Sequence, residues 1–255
     1  MKQISFEEFK LIYKKNYEII VNILLKHNVR FSCACGTMLG AIREKDIIEW
    51  DYDIDNFFFE EDLEQLLSVE KYLPNNFYIQ SYKNGDLKYG LVRICCKNLF
   101  RHDKKSSKYI NVFYDFFSLK NVSCPEQKRK KLFLKFIKEE KKAEYKVSTH
   151  KSANPFKELL KKIYKLLLPS FKNVSNKIQK KVSKLKHGNT CIMCKSFKIV
   201  SPLPINKEEI IFVQFSNFKI PCYEKHIIIL ETLYGKDWRT PKEFGERKIP
   251  EFYIQ

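Results

Sequence analysis

The chain has 255 residues, 44% of them hydrophobic and 15% aromatic, which suffices for one sizeable core or a core with a small appendage. The formal net charge is +18, but residues 126–186 carry 20 Lys and Arg against 5 Glu, so one segment holds most of the excess and the rest is nearly balanced. No run approaches the roughly 20 apolar residues of a membrane span, and Glu7 and Glu8 stand where a signal peptide would have its apolar stretch. The expectation is a cytoplasmic protein, soluble or peripheral at the inner face of the membrane, with its eight cysteines reduced.

Residues 5–27 predict an amphipathic helix. Ser5 and Glu8 have capping-box spacing, and Phe9, Ile12/Tyr13, Ile20 and Ile23/Leu24 recur at helical period. Arg30–Cys35 reads as a strand bounded by Gly36, and Thr37–Arg43 as one or two helical turns. Asp53–Phe59 reads as a strand and Glu60–Leu67 as a helix. Phe77–Tyr82, Tyr89–Cys96 and Tyr109–Ser118 read as further strands, with a turn at Asn84-Gly85. The Lys-rich block over 126–186 lacks Gly and reads as helical, broken near Asn154-Pro155 and Pro169. Within it Phe156, Leu159/Leu160, Ile163/Tyr164 and Leu167/Leu168 form one stripe with lysines between. Apolar content returns near Thr190, and Ile227–Tyr234 reads as a helix ended by Gly235.

Asp51, Asp53 and Asp55 are two residues apart. On a strand, alternate side chains share a face, so the pattern predicts three clustered carboxylates. Such a cluster repels itself, and a divalent cation relieves the repulsion; Mg²⁺ favours a few carboxylates plus substrate phosphates. An acidic strand end facing solvent is the plainer alternative. Cys35-Gly36-Thr37 opening a helix offers backbone N–H groups to a phosphate, with the Thr37 hydroxyl and the Arg43 fork as further donors. Asp115 lies in the apolar run Val112–Phe117, where it either pairs with a lysine or supplies a further carboxylate.

Together these elements are similar to the nucleotidyltransferase-fold pattern of Gly-[Gly/Ser/Thr], Asp-h-Asp and a later strand aspartate. The stretch Gly36-Thr37-Met38-Leu39-Gly40-Ala41-Ile42-Arg43, followed by Asp46-Ile47-Ile48-Glu49-Trp50-Asp51-Tyr52-Asp53-Ile54-Asp55, resembles the LicD family, which includes the catalytic domains of fukutin and fukutin-related protein. Phe218-Lys219-Ile220-Pro221 and Leu233-Tyr234-Gly235-Lys236-Asp237-Trp238-Arg239-Thr240-Pro241 resemble the family's closing motif. Glu44 stands where many members have His, and Glu49 where they usually have Pro. These departures touch substrate detail rather than the proposed ligands.

The resemblance implies an α+β, nucleotidyltransferase-like mixed sheet with flanking helices and an inserted basic helical subdomain. Residues 1–125 would form the catalytic core, 126–189 the insertion and 190–255 the C-terminal part of the core. It implies transfer of a substituted phosphate, phosphocholine- or polyol-phosphate-like, from a CDP-linked donor such as CDP-choline to a hydroxyl of a glycan or lipid-linked glycan, with CMP released. Lipopolysaccharide, capsule or teichoic acid would be the material modified. It implies Mg²⁺ or Mn²⁺ on Asp53, Asp55 and Asp115, with Asp51 a ligand or an orienter, and Gly36, Thr37 and Arg43 on the phosphates. The alternative is a nucleotidyltransferase moving a nucleoside monophosphate to RNA, protein or a small molecule, with the basic block holding a polynucleotide. The intact LicD-like stretch disfavours a nucleic-acid partner, and the carboxylate set disfavours a non-catalytic basic adaptor.

Cys191-x-x-Cys194 has zinc-ligand spacing, with Cys33, Cys35, Cys95 and Cys96 as possible completers; buried thiols are the favoured reading. His102, His150, His187 and His226 carry no motif. The basic block reads as a solvated helical face or as a surface for anionic membrane.

Overall fold

The structure, a computed structural model, describes residues 1–103, 107–147, 155–241 and 249–255. The chain runs β1 (Lys2–Ile4), α1 (Phe6–Lys26), β2 (Ser32–Cys33), α2 (Cys35–Arg43), β3 (Ile54–Phe59), α3 (Leu63–Ser68), β4 (Phe77–Ser81), β5 (Leu91–Asp103) and β6 (Lys108–Val122). It continues α4 (Glu126–Val147), α5 (Pro155–Leu167), α6 (Phe171–Val182), β7 (Thr190–Met193), β8 (Lys198–Ser201), β9 (Ile210–Phe215), β10 (Phe218–Tyr223), α7 (His226–Tyr234) and β11 (Phe252–Ile254). The expected break near Asn154, and His150, lie outside the described residues, as does the side chain of Phe156.

Among the described residues nine strands form one mixed sheet with the central order β1-β11-β5-β6-β3-β2; β4 also pairs with β5, and β7 joins β6 to β8. β3 and β6 run parallel, and their neighbours run antiparallel to them. The α+β expectation holds. β9 and β10 form a separate hairpin.

The capping box closes at both ends: Ser5 Oγ accepts from the Glu8 N–H at 3.1 Å, and Glu8 accepts from the Ser5 N–H at 2.9 Å. The buried face of α1 is Phe9, Tyr13, Tyr17, Ile20, Val21 and Leu24, close to the predicted stripe. That face grips the sheet with directed bonds as well as apolar area. The Tyr13 hydroxyl donates to the Phe113 carbonyl at 2.7 Å and accepts from the Ile54 N–H at 3.0 Å, while its ring stacks on Tyr114 with centroids 4.5 Å apart. The Tyr17 hydroxyl donates to Asn56 Oδ1 at 2.5 Å, and Asn56 Nδ2 donates to the Asp115 carbonyl at 3.3 Å. The Tyr13, Tyr17 and Asn56 polar groups thus have partners, which offsets the desolvation cost of placing them in a core. One helix face therefore fixes β3 and β6 at the level of Asp55 and Asp115.

After β6 the chain leaves the sheet through α4, α5 and α6 and returns as β7, which pairs with the end of β6. No helix among the described residues is long and apolar enough to cross a membrane. All eight cysteines are free thiols.

Candidate active site

The parallel register sets Asp55 of β3 directly opposite Asp115 of β6, and the antiparallel register sets Asp115 opposite Arg93 of β5. Side chains at directly paired positions share a face of the sheet, so two carboxylates and a guanidinium form one row across three strands. Arg93 Nε donates to Asp115 Oδ1 at 2.6 Å, and the guanidinium lies 3.8 Å from the centroid of the Phe113 ring. Asp115 was expected to pair with a lysine or to serve a metal; its direct partner is an arginine, and Asp55 stands beside it.

The expected single strand face for Asp51, Asp53 and Asp55 is corrected. β3 begins at Ile54, and only Asp55 lies on it. Asp51 closes a turn by donating its N–H to the Ile48 carbonyl at 2.8 Å, so the chain is not extended there. Asp53 is exposed in the lead-in to the strand. The acids still gather. Burial first, then the charge of Asp53, pushes the Asp51 carboxyl up to about 7. Burial first, then the charges of Asp53, Asp115 and Asp51, raises Asp55 well above the usual carboxylate range.

Gly36 and Thr37 act on this group from the start of α2. A β-carbon at Gly36 would fall 2.7 Å from Asp51 Oδ2, so the missing side chain is what lets that carboxylate rest against the helix N-terminus. Thr37 is 2% exposed, and its hydroxyl accepts from the Asp55 N–H at 2.8 Å. It clamps α2 to β3 from within rather than facing the opening. Arg43 lies at the end of α2 with its Nη2 on Glu44 at 2.5 Å and its Nη1 3.4 Å from the Trp238 carbonyl. Glu44, the residue replacing the family's His, is thus the partner of the expected phosphate-binding arginine.

A cavity of about 460 Å³ opens beside Asp51, lined by Gly36, Arg43, Trp50, Tyr234, Trp238 and Thr240 among others. The stretch from Gly36 to Asp55 and the one from Leu233 to Pro241, which both resemble the LicD pattern, meet here. Burial, followed by Cys35 and the three aspartates, raises the Tyr234 hydroxyl. Among the described residues the Trp238 Nε1 is buried without a hydrogen-bond partner. A larger cavity of about 690 Å³, lined by Glu60, Lys120, His187 and Lys207 among others, sits at the opposite end of β3 and holds none of the aspartates. Asp51 lines the smaller one.

Sequence reasoning missed Arg93 and Lys195. Lys195 is largely buried, which lowers its pKa, while Asp115 and Asp55 act the other way; its Nζ lies 4.8 Å from the Phe117 ring centroid. A lone cation in the apolar run Leu91–Cys96 was the available signal for Arg93; nothing local marked Lys195. Cys191 and Cys194 are buried, and burial pushes the Cys191 thiol up to about 12, which favours the protonated form over a metal-binding thiolate.

Among the described residues, no three or more His, Cys, Asp and Glu side chains converge as a ready-made metal cage. The acids form an open group instead of a cage. Crowded carboxylates raised by one another favour a divalent ion shared with substrate phosphates, the mode Mg²⁺ commonly uses.

Asp55 and Asp115 thus lie side by side where β3 and β6 begin to pair, with Thr37 of α2 bonded to β3, and mark the acidic end of this α+β sheet. The sequence pattern described as LicD/FKTN/FKRP, nucleotidyltransferase domain, matches residues 28–160, and the chain belongs to that family. An uncharacterised protein of Rickettsia prowazekii is 30% identical over 88 residues, which are 34% of this chain and 32% of the relative. One from Rickettsia typhi is 30% identical over 99 residues, 36% of this chain and 29% of the relative. The lipopolysaccharide cholinephosphotransferase LicD of Haemophilus influenzae is 28% identical over 69 residues, 27% of this chain and 26% of the relative. The chain thus matches about a third or less of the length of these relatives. Family membership makes a transferase the coarse reading.

Proposed function

We propose that this protein transfers a substituted phosphate from a CDP-linked donor to a hydroxyl of a glycan or lipid-linked glycan and releases CMP. The observation that carries the reading is the row of Asp55 opposite Asp115, joined by Asp51 and Asp53, beside a cavity with aromatic walls. Phosphoryl transfer asks the protein mainly for positioning and for neutralisation of charge on the oxygens. Asp53 and Asp55 would hold a Mg²⁺ or Mn²⁺ ion, with Asp115 completing the set. The ion, when bound, would offset the charge of the donor diphosphate.

The chain's own groups supply the rest. Thr37 fixes the Asp55 backbone, and Arg93 holds Asp115 in one orientation. Taking the proton of the attacking hydroxyl is the alternative to a ligand role for Asp115, and it would require the carboxylate to leave Arg93. Arg93 and Lys195 bring positive charge to the edge of the carboxylate row, where phosphate oxygens would lie. The cavity beside Asp51, with Trp50, Tyr234 and Trp238 among its walls, would take the donor's base or its transferred group.

The test is a panel of CDP-linked donors with Mg²⁺ and a glycan acceptor, read as CMP release. CMP formation from one of them, absent without the acceptor, is the expected result. Pyrophosphate release from ATP or another nucleoside triphosphate would replace the reading with nucleotidyl transfer.

A further inference from the structure

The amphipathic helix α5 is turned inside out. Leu159, Leu160, Ile163, Tyr164, Leu166 and Leu167 are each about half exposed or more, with Leu166 at 78% and Leu167 at 80%. At 3.6 residues per turn these six occupy less than half the circumference, and Lys161 and Lys162 stand at its two borders. The helix is held at one border of this face, where the Tyr164 ring meets Tyr145 of α4 edge-on with centroids 6.0 Å apart, and from the other side. Lys165 Nζ lies 5.6 Å from the Tyr145 ring centroid of α4, and Lys146 Nζ donates to the Leu168 carbonyl at 2.7 Å. An apolar face of this size is ordinarily buried on a partner.

We infer that the outward face of α5 docks on an anionic lipid surface, with its leucines and Ile163 in the headgroup–acyl boundary and its bordering lysines on the headgroups. Charge complementarity selects this occupant. The block from 126 to 186 carries 20 Lys and Arg against 5 Glu, and α5 itself holds one acid, Glu158. A second copy would bring the same excess of positive charge against the same face, so self-association meets like-charge repulsion. An anionic bilayer offers both an apolar interior and negative headgroups, the two features this helix presents together. This docking stands apart from the transfer reaction, and vesicle binding reads it without turnover.

The experiment is sedimentation of the full chain with vesicles of phosphatidylcholine alone and of phosphatidylcholine mixed with phosphatidylglycerol. The protein should bind the mixed vesicles, bind the neutral ones weakly, and lose the former steeply with salt as the Debye length shrinks from about 8 Å at physiological ionic strength. Leu166→Gln with Leu167→Gln should lower binding by more than about tenfold, since two leucines no longer leave water. Lys162→Gln should lower it roughly fivefold, the equivalent of ~1 kcal/mol per basic residue near the surface. Melting temperatures should stay at the wild-type value, because the substituted leucines are exposed. Equal binding to both vesicle types, or binding indifferent to the leucine pair, overturns the inference. A dimer that the leucine pair dissolves would assign the face to a second copy, and tighter retention on single-stranded RNA than on mixed vesicles would assign the block to nucleic acid; either result also overturns it.

Discussion

Asp55 and Gly36 separate what the acidic site does from what holds it in place. Asp55 is raised by burial and by the neighbouring charges of Asp53, Asp115 and Asp51, so its ionised form is held at a cost when no cation is present. Asp55→Asn removes that charge without changing the size of the side chain. Without divalent ions the variant should melt at or above the wild-type temperature, and with Mg²⁺ and donor its turnover should fall by more than about a hundredfold. Near wild-type turnover in that variant would remove Asp55 from the metal site. Gly36→Ala tests Asp51 from across the helix start. The added carbon would meet Asp51 Oδ2 at 2.7 Å, and a side-chain oxygen can swing aside at little cost in stability. Calorimetry should therefore show a small change while CMP release drops, because the carboxylate has been moved. Gly40→Ala is the control: its added carbon would meet the Asp46 carbonyl oxygen at 2.4 Å, backbone that cannot yield so easily, and stability should fall by about 1–3 kcal/mol. Intact activity in Gly36→Ala would place Asp51 outside the reaction.

The joint between α2 and β3 is the element on which the site depends. Thr37 is its single side-chain bond to the strand, with its hydroxyl accepting the Asp55 N–H inside the core. Thr37→Val keeps the shape and orphans that N–H, so denaturant unfolding should show a loss of about 1–3 kcal/mol. Thr37→Ser keeps the acceptor and should restore most of it; equal losses in the two variants would mean that packing, not the hydrogen bond, holds the joint. Much of this architecture was legible. The capping box announced α1, Gly235 ended α7 as expected, and the spacing of Gly36, Asp55 and Asp115 marked residues that the fold brings together. What was not legible has physical causes. Period-two spacing put Asp51 and Asp53 on a strand, but β3 begins where pairing with β6 begins, at Ile54 opposite Tyr114, and a distant partner leaves no trace in local alternation. β1 and β11 have three residues each, too few to show a period, and they pair with each other across the length of the chain. β5 and β6 run well past their apolar stretches because the ladder continues through positions where polar residues stand, Arg101 opposite Ile110 and Asp103 opposite Lys108. The stripe on α5 was visible, but its outward direction is a tertiary fact.

For the molecule as a whole, ligand and fold are linked. The acids that repel one another belong to four positions drawn from β3, its lead-in and β6, and α1 holds those same strands through Tyr13 and Tyr17. A ligand that relieves the repulsion therefore stabilises the central sheet and not a loop alone. Any species that binds the folded chain and not the unfolded one adds RT ln(1 + [L]/Kd), about 2.7 kcal/mol at a hundredfold excess over Kd. A domain of this size shifts its melting temperature by roughly 2–4 °C for each kcal/mol. A CDP-linked donor at such an excess, together with Mg²⁺, should thus raise the melting temperature by several degrees. Either component alone should do less, because the ion is expected to share its ligands between protein and phosphate. Asp55→Asn should abolish the joint effect while leaving the unliganded melting temperature intact. ATP with Mg²⁺ is the decisive comparison, since it carries a similar polyphosphate on a different base. A shift that follows the diphosphate but ignores the base would leave the cavity beside Asp51 without a part in donor choice. A larger shift with ATP than with any cytidine diphosphate would point to nucleotidyl transfer. A larger shift with the cytidine donor, lost together with the Asp55 carboxylate, is the outcome that the joined acidic row and aromatic cavity lead us to expect.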